Sequence, residues 1–260
     1  MKLHCYCSVA ALLVSVALAG ATNDRYYKSL DFDFFYHVQQ WPASFCDTKF
    51  GCCFPGNEKP EADFGIHGLW PNYAVCRTAE DAGRPLNQSN TASALALVPL
   101  RRRRCRDLIK TNGRRVRAQI RDLESDLLRN WGTLSCKNKE STAFWSHEWT
   151  RHGTCSGMDQ HAYFRAALEF KARFNLTRIL LDAGIVPSDE KEYFLSSIRD
   201  AVAEATGSAP NLECNRNERN ETQLFQVYQC VGLDGSSPVR CPMPLPMDGG
   251  CTDTVKFPAF

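Results

Sequence analysis

Eleven cysteines between residues 46 and 251 constrain this chain more than any other feature: Cys46, Cys52, Cys53, Cys76, Cys105, Cys136, Cys155, Cys214, Cys230, Cys241 and Cys251. Two more, Cys5 and Cys7, lie in a leader-like start. That start has Lys2, an apolar run over 9–19, then Ala19-Gly20-Ala21. A basic opening, a hydrophobic stretch of about a dozen residues and a small-x-small site read as a secretory signal over 1–21, cut after Ala21. The run is shorter than the roughly 20 apolar residues that span a bilayer. No later segment is long and apolar enough for a transmembrane helix. Residues 22–260 are therefore expected to be secreted, or held in a vacuole or another secretory-pathway compartment. In such a place this many cysteines imply a disulfide framework. Their spacing is not the paired C-x-x-C of a zinc ribbon. The odd count leaves one thiol over, and spacing does not say which.

The remaining 240 or so residues suffice for one large domain with a real core. Residues 30–41 alternate and are aromatic-rich, as a strand would be. Residues 64–70 predict a second strand, stopped by Pro71. Apolar positions recur at helical period over 116–131 and 159–174. A third helix is expected over 190–205 and a strand over 222–231. Strands and helices mix without a βαβ rhythm, which predicts an α+β fold. Asn87, Asn175 and Asn220 begin Asn-x-Ser/Thr sequons, each a candidate glycan site that need not be occupied.

Residues 77–117 do not fit this pattern. They turn from polar to strongly basic and include Arg101, Arg102, Arg103 and Arg104. The stretch reads as an RNA-attracting arm, as a solvated surface insertion, or as a translated intron. The net charge of the whole chain is only +2, so any nucleic-acid affinity must be local.

The chemistry concentrates in two segments. Residues 144–155, FWSHEWTRHGTC, place His147, Glu148, Arg151 and His152 within six residues. In a helix, residues four apart lie nearly over one another. His147 then stacks over Arg151, Glu148 over His152, and all four share one face. A zinc-protease helix carries H-E-x-x-H, with its histidines four apart. Here they are five apart, about 140° past a full turn, and converge poorly on one metal. No metal and no cofactor are expected. The second segment, residues 64–71, is FGIHGLWP and carries His67 and Trp70.

Cleaving RNA needs a base for the 2′-hydroxyl, an acid for the leaving 5′-oxygen and a cation for the phosphorane. Histidine suits the first two roles because its pKa lies near neutrality. Arg151 suits the third. A lone histidine is ordinarily a surface or core residue, and the clustering weighs against that here. Trp70 reads equally as a base-stacking platform or a core residue. Asn72 and Gln40 could bond a base edge, although plain structural roles are at least as good a reading.

These two segments resemble the active-site segments of the ribonuclease T2 family. The stretches 31–36 and 38–42, and the tail with Cys230, Cys241, Cys251 and residues 255–258, resemble its plant S-like branch. The resemblance covers about 30–260 apart from the basic stretch. It implies an α+β fold with a central antiparallel sheet. It implies metal-independent endonucleolytic cleavage of single-stranded RNA, not DNA, through a 2′,3′-cyclic phosphate, by a monomer without a membrane span. His152 looks like the general base, His67 the general acid and His147 a phosphate-binding histidine. Glu148 and Arg151 look like the pair that stabilises the pentacovalent state. Trp70 and Asn72 resemble the first base site and Gln40 part of the second. The implied disulfides are Cys46–Cys52, Cys53–Cys136, Cys214–Cys251 and Cys230–Cys241, with Cys155 joined to Cys76 or Cys105. Two departures stand out. The family usually has lysine where Arg151 stands, and it has a short loop where the basic stretch falls. The alternative function is a ribonuclease-like storage, defence or recognition protein with reduced or lost catalysis.

Overall fold

The run FFYHVQQ, Phe34–Gln40, forms strand β1 and is buried along its whole length. One side of it carries Phe35, His37 and Gln39, the other Phe34, Tyr36, Val38 and Gln40, by strand alternation. The computed structural model describes residues 32–54, 58–74, 119–137 and 140–260. Residues 33–260 form one unit; of the other unit, residues 1–32, only Phe32 is described. The expected signal, the basic stretch, Cys76, Cys105 and Asn87 lie outside the described residues.

After β1 come helix α1 (Pro42–Cys46), strand β2 (Gly65–Asn72), helix α2 (Glu124–Asn130) and helix α3 (Ser141–Arg151). Helices α4 (Gln160–Arg173) and α5 (Leu176–Asp182), strand β3 (Ser188–Phe194) and helix α6 (Leu195–Thr206) follow. Strands β4 (Asn211–Arg216), β5 (Thr222–Val231) and β6 (Thr254–Phe257) complete the chain. The fold is α+β. The sheet has six strands in the order β2-β1-β5-β6-β3, with β4 also paired to β5. Every ladder is antiparallel except a single parallel pairing of β5 with β6. Among the described residues, no helix is long and apolar enough to cross a membrane.

Several expectations need adjusting. Pro71 does not stop β2, which runs on to Asn72. Here β2 is an edge strand, where a residue without an N–H is tolerated. The helix expected over 190–205 begins only at Leu195, because Ser188–Phe194 pairs with β6 as a strand. Asp159 caps α4 by accepting from the Ala162 N–H at 2.8 Å, which places its start where the periodicity begins. Asn175 caps α5 in the same way, and Thr177 bonds Asp63 and the Phe64 N–H. That sequon therefore has a structural use of its own. Asn220 is exposed in the β4–β5 turn, at φ 64°.

One face of the sheet packs on α4, α5 and α6. Its core includes Trp41, Phe64, Leu180, Ile198, Leu224, Val227 and Phe257. Each such side chain contributes about 1.5–3 kcal/mol by leaving water. The opposite face carries a smaller cluster, Phe34, Tyr36, Val38 and Cys230, with Val239 and Cys241 packed on it. Four disulfides close loops in the described residues: Cys46–Cys52, Cys53–Cys136, Cys214–Cys251 and Cys230–Cys241. Cys155 is also disulfide-bonded; its two candidate partners lie outside the described residues.

Candidate active site

The placement of His67 depends on one extra residue in β2. Val38 pairs with Gly68 and Gln39 with Ile66, so His67 is skipped in the ladder. Such a bulge turns two successive residues to one side. Ile66 and Leu69 stay opposite Gln39 and His37 on the helix-covered face. His67 and Gly68 both turn to the other face, with Trp70 and Asn72. His67 Nδ1 there meets Gln226 Oε1 of β5 at 3.2 Å. From behind, the Trp131 indole N–H donates to the His67 carbonyl at 3.0 Å. Loss of water around His67 pushes its pKa below the ordinary value; the Gln226 bond works against this, and the charge of His147 adds to it.

Helix α3 supplies the other half. Glu148 is 2% exposed and accepts a 2.8 Å hydrogen bond from the Trp70 indole N–H. Burial raises its pKa to about 8, although the Trp70 bond and the Arg151 charge oppose the shift. Gly68 makes this contact possible. A Cβ at Gly68 would stand 2.5 Å from Glu148 Oε2 and would collide with the Trp70 indole. The helix ends at Arg151, and His152 caps it with non-helical φ −127° and ψ −50°. His152 Nε2 lies 3.9 Å from Glu148 Oε2, the spacing of residues four apart.

The Trp70 indole joins the two segments. Its ring stacks on His152 with centroids 5.2 Å apart and meets the edge of His67 at 4.9 Å. Trp70 is half-buried, not a core residue. His147 is exposed, Arg151 and His152 are half-buried and Glu148 is buried, so the four groups are graded from solvent to interior. Asn72 lies at the far end of β2, its side chain accepting from the Tyr73 N–H at 2.8 Å. Gln40 is buried at the opposite end of β1, beside Gly65 and Gln226 in the ladders. His67 therefore stands between the two candidate base-site residues.

Sequence reasoning did not single out Gln226, Phe144 or Tyr228. The Phe144 ring lies 5.8 Å from His67, and Tyr228 meets Trp70 at 5.9 Å. Tyr228 also donates to Glu213 Oε2 at 2.5 Å. Only strand pairing brings β5 to His67, and no local motif signals it. Among the described residues, no three His, Cys, Asp or Glu side chains converge as metal ligands.

The profile of the ribonuclease T2 family matches residues 32–241, most of the chain. Ribonuclease 1 of Arabidopsis thaliana is 41% identical over 98% of this chain and 96% of its own length. Intracellular ribonuclease LX of Solanum lycopersicum is also 41% identical, over 96% of this chain and 93% of its own. The chain belongs to the ribonuclease T2 family. Among solved ribonucleases of this kind, RNase NT in complex with 5′-AMP superposes with a TM-score of 0.71 at 39% identity. It covers 88% of this chain and is itself covered completely. As a ribonuclease T2 family member, the chain is an endoribonuclease.

Proposed function

We propose that this endoribonuclease cleaves single-stranded RNA by transesterification through a 2′,3′-cyclic phosphate, with two histidines as acid and base. The observation that carries the reading is the bracketing of one indole, Trp70, by His67 and His152 from separate segments. His152 takes the proton of the 2′-hydroxyl, and the 2′-oxygen attacks phosphorus. Arg151, Glu148 and His147 hold the phosphoryl oxygens as charge grows on them. Glu148, with its pKa near 8, carries a proton at neutral pH and can donate it in a hydrogen bond. His67 then gives its proton to the leaving 5′-oxygen. Its lowered pKa makes it a stronger acid, and an arriving phosphate anion restores its proton. Water later reverses the roles and opens the cyclic phosphate. Trp70 and Asn72 hold the base before the scissile bond, Gln40 the base after it.

The protein acts outside the cytosol as a monomer, after loss of residues 1–21. The leader-like start and the disulfides support that compartment. A relative named intracellular keeps a vacuole as open as the cell exterior. Asn220, exposed in its turn, is the favoured glycan site. The basic stretch at 77–117 is an insertion that the chemistry does not need.

Purified protein incubated with RNA and excess chelator tests this reading. Oligonucleotides ending in a 2′,3′-cyclic phosphate are expected, with single-stranded DNA left intact. Loss of cleavage on chelation, restored by a divalent ion, would overturn the mechanism. An inert protein would favour the storage or defence alternative.

A further inference from the structure

A second bulge in the sheet builds a groove beside the catalytic face. In β5, Gln226 pairs with Glu213 and Leu224 with Cys214, so Phe225 is skipped. Leu224 and Val227 keep to the helix-covered core. Phe225 and Gln226 therefore turn together to the face that carries His67. Gln226 reaches His67, while Phe225 becomes a wall of a groove of about 390 Å³. Phe45, Thr48, Phe50, Asn215 and Lys137 line it too. Its volume lies within the range of small-molecule sites. Neither Gln40, His67, Trp70 nor Phe144 is part of it.

We propose that this groove holds a further nucleotide of the RNA, downstream of the nucleoside that leaves from His67. The proposal rests on His67 as the acid that protonates the leaving 5′-oxygen, which puts downstream RNA on the Gln226 side. Three features match a single-stranded nucleotide. Phe50 is 94% exposed beside Phe45 and Phe225, so the groove offers aromatic faces of the kind bases stack on. Among the described residues, Lys137 is the one charged group on its lining and no carboxylate lines it, which suits a phosphate. The hydroxyls of Thr48 and Ser135 on its lining can each bond a base edge or a phosphate oxygen. A hydrophobic protein segment would use the aromatic rings and leave Lys137 unanswered.

The test compares cleavage of a dinucleoside monophosphate with that of the same substrate extended by two nucleotides on its 3′ side. The wild type is expected to prefer the longer substrate in kcat/KM. Phe50→Ala and Lys137→Ala should each lower kcat/KM on the longer substrate, by roughly 5- to 100-fold for the aromatic variant. Both should leave the dinucleoside monophosphate unchanged. No wild-type preference for length, equal losses on both substrates, or full retention of the preference in Phe50→Ala would overturn the proposal. Retention would leave the exposed ring to a protein partner. If the wild type cleaves neither substrate, the mechanism above fails, and the groove is judged by binding. An all-2′-deoxy tetranucleotide should then bind Phe50→Ala more weakly than wild type, and equal affinities would overturn the groove.

Discussion

His37 and His67 stand on paired strands and face opposite sides of one sheet. His37 is fully buried under α4, its Nε2 2.9 Å from the Ala167 carbonyl and its Nδ1 unpartnered. Burial, aided by the charge of Lys171, depresses its pKa to about 4. His67 is also depressed by burial, yet it turns to an open face and meets a polar side chain. The same residue type is thus locked neutral on one face and left able to exchange a proton on the other. One skipped residue in β2 makes the difference. Without the bulge, strand alternation would send His67 to the face of His37.

Breaking the comparison on the catalytic side should have the largest effect. His67→Ala or His152→Ala is expected to lower RNA cleavage by at least about 10²-fold with the fold intact. Circular dichroism and initial rates check this, and near-normal turnover in a folded variant would remove that residue from the mechanism. The matching change on the core side should move stability and not chemistry. His37 favours the neutral form when folded, so its contribution is complete above pH 6.5 and is lost as pH falls towards about 4. The loss amounts to about 3 kcal/mol over that window. Denaturant titrations of wild type and His37→Leu should show the variant lacking this portion of the acid destabilisation, with cleavage per folded molecule unchanged.

Two subtler changes sharpen the contrast. Glu148 is neutral below its pKa of about 8, so Glu148→Gln imitates it at pH 5.5. Cleavage there should stay within roughly tenfold of wild type, the scale of one altered hydrogen bond. Glu148→Ala should lose more, since it leaves the Trp70 indole N–H without its acceptor. If Gln and Ala variants lose equally, the neutral carboxyl has no part in the chemistry. The smallest expected effect is at Gln226. Its bond supports the protonated form of His67. Gln226→Leu should therefore move the alkaline limb of kcat/KM towards acid pH. A pH-rate profile with an unmoved limb would show that Gln226 only fills space.

Much of this site was legible in the sequence because its two halves are local. His147, Glu148 and Arg151 are ordered by one helix at the spacing its periodicity sets, and His152 follows directly at its cap. The joining of the halves was not legible. It depends on the Trp70–Glu148 bond across α3 and β2, on Gly68 leaving room for it, and on two bulges that alternation does not foresee. Strand β3 was hidden for a similar reason. The polar run SDEKEYF has a helix-compatible composition and becomes a strand only by pairing with β6. Long-range pairing overrode local preference there.

The late position of β6 has a consequence for biosynthesis. Residues 254–257 join β5 to β3, Phe257 fills the core beside Trp41, and the Trp41 indole N–H donates to the Pro258 carbonyl 217 residues away. A nascent chain that has not yet freed those residues cannot close its sheet or bury Trp41. Contacts of such sequence separation also make folding slow. Both active-site segments are therefore synthesised well before the strand that completes the scaffold they stand on.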